Sequence, residues 1–286
     1  MTRIAVIGAG TMGHGIAQVG AVAGYAVTIT DARPEALGPA LHRVRENLEG
    51  SVARGKLTPE EAAAAVGRVA AAATIPAAVR DADLVIEAVI EDLAVKRAVF
   101  GEIAAAAPAG ATLATNTSSL PVGRIAEAVP DPGRVVGMHF FNPVHIMKLV
   151  EVVRHDRVAQ PHVDRVLAVA RAMGKEPIVV RDSPGFASSR LGVVLGLEAM
   201  RMVEQGVAVA EDIDRAMELG YGHPMGPLKV SDLVGLDVRL AIAEYLHREL
   251  KSAHYAPPVI LRTKVRAGEL GKKTGKGFYQ WPTQSS

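Results

Sequence analysis

The chain has 286 residues, enough for two domains of ordinary size, and its 32 Lys and Arg against 30 Asp and Glu leave a formal net charge of +2. The two signs are interspersed, so no global basic field points to nucleic acid or an anionic membrane, and any anionic ligand must be met by local groups. The absence of cysteine excludes disulfides, thiolate nucleophiles and cysteine metal sites, and fits a cytoplasmic protein. The expectation is a soluble protein with no membrane partner, because no apolar run approaches the roughly 20 residues of a span, and with no targeting segment, because the first strand starts at Arg3.

In chain order, Arg3 to Ile7 reads as a buried parallel strand, and Gly8-x-Gly10-x-x-Gly13 then opens an apolar helix running towards Ala23. In this pattern Gly8 permits the tight turn, Gly10 lets the backbone approach a pyrophosphate, and Gly13 lets helix and strand pack closely. The N–H groups and dipole at the helix start hold the phosphates. A second strand, Gly24 to Thr30, ends in Asp31, eighteen residues past Gly13. An acid there accepts from ribose hydroxyls and repels a 2′-phosphate, so the predicted cofactor is NAD, with Arg33 partly offsetting the repulsion. A solvated turn residue is the plain alternative for Asp31.

Apolar strand-like runs then alternate with helical stretches, which predicts a doubly wound, mostly parallel Rossmann-type sheet covered on both faces. Pro34 to about Arg54 reads as a helix, and Thr58-Pro59-Glu60-Glu61 as the capped start of another. Together they make a helical excursion at about 34–73, a candidate substrate arm or simply a surface hairpin. Further strands are predicted at Asp83–Val89, Ala111–Thr115, Arg134–His139, Lys148–Val153 and Glu176–Arg181. Glu91 and Lys96 fall where the Asp83–Val89 strand turns into its helix, at the carboxyl edge where open α/β sheets bind ligands. The rhythm changes at Asp182-Ser183-Pro184-Gly185. From Phe186 on, only helical periodicity remains, at about 186–204, 210–219, 229–250 and 257–267. The predicted division is a dinucleotide-binding domain at 1–182 and an all-helical domain at 183–286.

Substrate chemistry must come from polar residues near the carboxyl edge. His139 ends a strand, and Glu151, twelve residues later on the returning segment, can sit beside it. A carboxylate next to an imidazole fixes its tautomer and suits it to take a hydroxyl proton. On composition alone, a lone strand-end histidine is more often structural.

The chain resembles the 3-hydroxyacyl-CoA dehydrogenases of the 3-hydroxybutyryl-CoA dehydrogenase type, from Ile4 to Tyr279. The likeness rests on Gly8-Ala9-Gly10-Thr11-Met12-Gly13, Val85-Ile86-Glu87-Ala88-Val89, Asn116-Thr117-Ser118-Ser119-Leu120, His139-Phe140-Phe141-Asn142-Pro143 and Met147-Lys148-Leu149-Val150-Glu151-Val152. Asp182-Ser183-Pro184-Gly185-Phe186, Met225-Gly226-Pro227 and Gly271-Lys272-Lys273-Thr274-Gly275-Lys276-Gly277-Phe278-Tyr279 complete it.

The resemblance implies NAD-dependent interconversion of short-chain (S)-3-hydroxyacyl-CoA and 3-oxoacyl-CoA, a step used in fatty-acid metabolism among other routes, without a metal. It makes His139 the general base, Glu151 its holder, Ser118 a hydrogen-bond partner of the substrate oxygen near the nicotinamide, and Asn142 a cofactor-positioning residue. Gly8, Gly10, Thr11, Met12, Gly13, Asp31, Glu91, Lys96 and Lys273 serve NAD on the same basis. Asn47 and Arg54 match positions that contact coenzyme A, and Lys56 adds a positive charge for its phosphates; solvated helix charge is the alternative for the two cations. The family's usual Asn before Arg190 is Ser189 here, which is shorter and offers a hydroxyl instead of an amide. A homodimer through the helical domain is also implied. The competing readings are a dehydrogenase of a free hydroxy acid or sugar acid, and a non-catalytic relative such as the lens crystallins of this family.

Overall fold

The structure, a computed structural model, describes residues 2–282. Its first elements are β1 (Arg3–Ile7), α1 (Thr11–Val22), β2 (Ala26–Thr30), α2 (Leu37–Ala53), α3 (Pro59–Gly67), β3 (Val69–Ala71), α4 (Ile75–Val79) and β4 (Leu84–Glu87). They continue as α5 (Leu93–Ala106), β5 (Thr112–Thr115), α6 (Val122–Ala126), β6 (Val135–Phe140), β7 (Leu149–Arg154), α7 (Gln160–Ala172) and β8 (Glu176–Arg181). One eight-stranded sheet results, in the order β3-β2-β1-β4-β5-β6-β7-β8, parallel throughout except between β6 and β7.

Strand composition explains the two covered faces. Ile4 and Val6 of β1, with Leu84 and Ile86 of β4, point into one apolar cluster against α1, α2 and α7. Ala5, Ile7 and Val85 point into another against α5 and α6. Side chains that alternate faces while all remaining apolar mark a strand buried on both sides.

Strand order reverses between β1 and β4, the switch point at which open α/β sheets bind ligands. Here the loop after β1 and the chain after β4 touch: Ala88 N–H donates to Ile7 O at 2.7 Å. Gly8 sits there at φ 107°, and a Cβ on it would lie 2.6 Å from Ala88 O. A Cβ on Gly13 would lie 1.7 Å from Gly8 O, so no larger residue lets α1 start this close to β1.

The antiparallel β6–β7 pair brings the return strand back from the carboxyl edge. Its register places His139 opposite Glu151.

Two expectations need correction. The helical excursion is the crossover from β2 to β3, a strand without a sequence signal because its three residues, Val-Ala-Ala, lie in an alanine-rich stretch. The helix expected over 229–250 is two helices, because Gly235 adopts φ 101° and ends the first.

Contacts divide the chain into two units, Met1–Phe186 and Ala187–Ser286. The second comprises α8 (Ser188–Glu204), α9 (Ala210–Tyr221), α10 (Pro227–Val234), α11 (Leu236–Leu250) and α12 (Val259–Arg266). They pack around Leu197, Met200, Leu228, Leu236, Leu246 and Leu261. Two fully buried carboxylates fasten the C-terminal stretch to this core. Asp232 accepts from the N–H groups of Phe278 and Tyr279 and from Trp281 Nε1, while Asp214 accepts from Leu228 N, Lys229 N and the Tyr279 hydroxyl. Burial, together with Asp214, pushes the Tyr279 hydroxyl well above its usual range, so it stays a donor.

Candidate active site

His139 and Glu151 meet across the β6–β7 ladder, with His139 Nδ1 2.8 Å from Glu151 Oε2. Glu151 is fully buried and His139 nearly so. Nδ1–H donates to the carboxylate, which leaves the lone pair on Nε2. Phe141, with its ring centroid 4.4 Å away, and Phe186, at 6.0 Å, flank the imidazole. Neither ring is marked by the sequence pattern, although Phe141 follows His139 by two residues.

A cavity of about 360 Å³ opens at His139 and is also lined by Met12, Glu91, Asn116, Ser118, Phe141 and Asn142. The structure therefore brings together five of the expected residues, with Glu151 behind them. Asn116 accepts the N–H of Phe140 at 2.8 Å and so fixes the end of β6. It opens the Asn116-Thr117-Ser118-Ser119-Leu120 motif, but its positioning task depends on a neighbouring strand that local sequence does not reveal.

Glu91 organises the serine turn. Its Oε1 accepts from Thr117 Oγ at 2.7 Å, Ser118 N at 2.9 Å and Ser119 N at 3.1 Å, and both serine hydroxyls lie at 3.2 Å. Burial raises the Glu91 pKa, but the Lys96 ammonium and the Thr117, Ser118 and Ser119 donors outweigh it and hold the carboxyl below its ordinary range.

Lys96 is itself 1% exposed. It donates to Glu87 Oε1 at 2.6 Å and lies 3.4 Å from Glu91 Oε2. Glu87, fully buried at the end of β4, also accepts from Val89 N and Thr115 Oγ, each at 2.7 Å. The structure thus places Lys96 beneath the turn as the counter-charge of two carboxylates. Glu87 was not among the expected site residues; an acid closing the otherwise apolar run Leu84-Val85-Ile86 is the signal that marks it.

The chain's own geometry fits a dinucleotide. Gly10 caps α1 without a side-chain bond, and a Cβ on it would meet nothing within 4 Å, so the start of this 12-residue helix is open to close approach and its first N–H groups carry no side-chain cap. Gly10 and Thr11 are exposed there. Asp31 is held at the end of β2 by Ala9 N–H at 2.7 Å and Arg33 N–H at 2.9 Å. A carboxylate has about four acceptor sites, so this anchoring leaves capacity for ribose hydroxyls.

The remaining expected residues lie elsewhere. Asn47 donates to the buried Gln18 at 3.0 Å, tying α2 to α1. Arg54 and Lys56 are exposed at the end of α2. Ser189 is the second residue of α8, and Lys273 pairs with both carboxylate oxygens of Asp237 at 2.6 and 2.7 Å. Both belong to the second unit. No cluster of three or more potential ligands for a metal occurs among the described residues, and no helix among them is long and apolar enough to cross a membrane.

A dinucleotide-binding first unit followed by a helical second one agrees with the family models. The 3-hydroxyacyl-CoA dehydrogenase NAD binding domain matches residues 3–183, and the 3-hydroxyacyl-CoA dehydrogenase C-terminal domain matches residues 185–281. The chain belongs to the 3-hydroxyacyl-CoA dehydrogenase family. It is 44% identical over 284 residues to a probable 3-hydroxybutyryl-CoA dehydrogenase of Bacillus subtilis, covering 99% of both chains. It is 42% identical over 283 residues to a 3-hydroxybutyryl-CoA dehydrogenase of Mycobacterium tuberculosis, covering 98% of both. Among solved structures, (S)-3-hydroxybutyryl-CoA dehydrogenase PaaH1 from Ralstonia eutropha superimposes with a TM-score of 0.96 at 36% identity, over 99% of this chain and 100% of that one. As a member of this family the protein is an NAD-dependent oxidoreductase.

Proposed function

We propose that this dehydrogenase interconverts short-chain (S)-3-hydroxyacyl-CoA, such as 3-hydroxybutyryl-CoA, and the 3-oxoacyl-CoA. The observation that carries the reading is the His139–Glu151 pair, whose histidine lines a cavity shared with Ser118 in the dinucleotide-binding unit. His139 Nε2 takes the proton of the substrate's 3-hydroxyl, and the Glu151 carboxylate stabilises the imidazolium that forms. Ser118 Oγ orients the substrate oxygen from a turn fastened by Glu91. In the reverse direction the imidazolium returns the proton to that oxygen. NAD, held by Gly8 to Gly13 and Asp31, with Asn142, Glu91 and Lys273 assigned to it by the family pattern, supplies the hydride acceptor. Phe141 and Phe186 flank the imidazole with apolar rings.

Asn47, Arg54 and Lys56 are assigned to coenzyme A, and Ser189 to the acyl-CoA in the place of the family's Asn. We place the functional division at 1–182 and 183–286, and the protein in the cytoplasm as a homodimer. The exposed Leu191, Leu233 and Val238 of the helical unit support association through it. Light scattering on the purified protein reads the mass, and a monomer removes that part.

The test of the reaction is oxidation of NADH, and separately NADPH, with acetoacetyl-CoA, using free acetoacetate as the control. Turnover with NADH and the thioester is expected. Turnover with free acetoacetate alone moves the assignment to a free hydroxy acid, and no turnover despite NAD binding moves it to a non-catalytic relative.

A further inference from the structure

A second cavity of the first unit, about 460 Å³, lies between α1, the end of α2, the turn before β7 and the end of α7. Its polar lining comprises Gln18, Ser51, Lys56, His145, Lys148 and Lys175, and it contains no carboxylate. Lys148 lies 3.5 Å from Glu176 at a point where both side chains are 75% exposed, a pairing of little strength. Among the described residues Arg54, Lys56 and Lys175 enter no ion pair.

The turn that carries His145 is built in advance. Ile146 N and Met147 N both donate to Pro143 O at 3.0 Å. Lys175, 7% exposed, donates its ammonium to Val144 O and to Met147 O, the carbonyls on either side of His145-Ile146. Val144 beneath is 2% exposed and packs on Gly15, where a Cβ would meet its side chain at 2.9 Å. The imidazole is thus presented from a pinned loop, with Lys175 behind it, Lys56 and Lys148 lining the same cavity, Arg54 and His14 near enough to act on its charge, and Glu176 beside Lys148. Burial, then Arg54, Lys175, His14 and Lys56, hold the His145 pKa below its usual value. A site in which cations disfavour one another's charge is relieved by an incoming anion.

We propose that this cavity takes the 3′-phosphomonoester of the substrate's coenzyme A, with His145 and Lys56 as its donors and Lys175 as the residue that positions His145. This inference rests on the acyl-CoA reading above and adds a phosphate-selecting residue that lies outside the assigned coenzyme A contacts. The dianion draws a proton onto His145 and accepts a charge-assisted hydrogen bond from it. The cavity volume is in the range of small-ligand sites.

The experiment uses the full-length protein and its His145→Gln variant, which keeps a donor but cannot ionise. KM and kcat are measured for acetoacetyl-CoA, acetoacetyl-3′-dephospho-CoA and NADH, and the Kd of free coenzyme A and of 3′-dephospho-CoA is measured by calorimetry. The unaltered protein is expected to favour the 3′-phosphorylated forms about tenfold, the size of one charge-assisted hydrogen bond. The variant is expected to lose most of that preference, with kcat and the KM for NADH unchanged. Retention of the preference in His145→Gln, equal losses with the dephospho thioester, or a raised KM for NADH overturns the proposal. If the unaltered protein fails to turn over acetoacetyl-CoA, the acyl-CoA reading fails by itself; the calorimetric arm still decides whether the cavity holds the phosphate.

Discussion

At the scale of single residues, two hydrogen-bonded pairs at the sheet's carboxyl edge differ in kind. The His139–Glu151 pair has a nitrogen left for chemistry, whereas the Lys96–Glu87 pair is engaged with neighbouring protein groups on every side. His139→Ala removes the proton acceptor while the glycine turn and Asp31 remain. It should lower kcat by at least about a hundredfold, the scale of a lost general base, with the Kd of NADH by fluorescence nearly unchanged. Full activity in that variant removes His139 from the mechanism. Lys96→Met instead leaves Glu87, at 0% exposure, charged and without its counter-ion. Breaking a buried pair in this way costs about 3–5 kcal/mol. Denaturant unfolding should show a loss of that order, and a loss below about 1 kcal/mol would remove the pair from the interactions that hold the fold. The turn carrying Ser118 depends on Glu91, which Lys96 also neutralises, so the surviving activity of this variant should fall as well.

At the scale of elements, the site depends on how closely α1 approaches β1. The approach lets the open helix start and the β4 end share one edge. A methyl group on Gly13 has no room, since its position falls 1.7 Å from Gly8 O, a backbone atom that cannot step aside. Gly13→Ala should push α1 off the strand, cost about 1–3 kcal/mol as an overpacking change, and weaken NADH binding by more than tenfold. A variant that binds NADH normally would show that the helix start has slack. The β1-turn-α1 unit was legible from residues because its glycines and apolar strand are local signals. The β3 strand and the break at Gly235 were not. Three residues of an alanine-rich stretch carry no period, and a single glycine inside a helical pattern breaks the helix only when its surroundings hold it at positive φ.

At the scale of the whole molecule, one buried histidine and one half-buried histidine couple folding to pH. His155, 5% exposed, donates Nε2–H to Val135 O at 3.0 Å and accepts Arg157 N–H on Nδ1 at 3.3 Å, so both nitrogens are committed in the neutral form. Burial holds its pKa below the ordinary 6.5, and burial together with Arg165 does the same for His162. Below 6.5 the unfolded chain therefore binds protons that the folded one refuses, and stability falls as pH falls towards the depressed values. Above 6.5 both states are neutral at these positions and the effect vanishes. Urea midpoints should accordingly drop between pH 7 and pH 5.5. His155→Gln, which preserves a donor and an acceptor but cannot ionise, should flatten part of the drop. An unchanged slope in that variant would assign the effect to other groups.

The linear order of residues determined the fold class, the cofactor half of the site and the candidate base, because each is written in short-range patterns. A glycine spacing after an apolar strand, an acid at the next strand end, and a histidine and a glutamate of opposite strand direction are all visible within a few tens of residues. Only the tertiary structure decided which polar residues meet. It put Lys96 under the serine turn as a counter-charge, gave Asn116 and Glu87 their positioning tasks, and gathered Lys56 from the exit of α2, Lys148 from the start of β7 and Lys175 from the turn before β8 around His145. Those partnerships join residues far apart in the chain, and their energies come from burial and desolvation, which exist only once the sheet and its helices have excluded water.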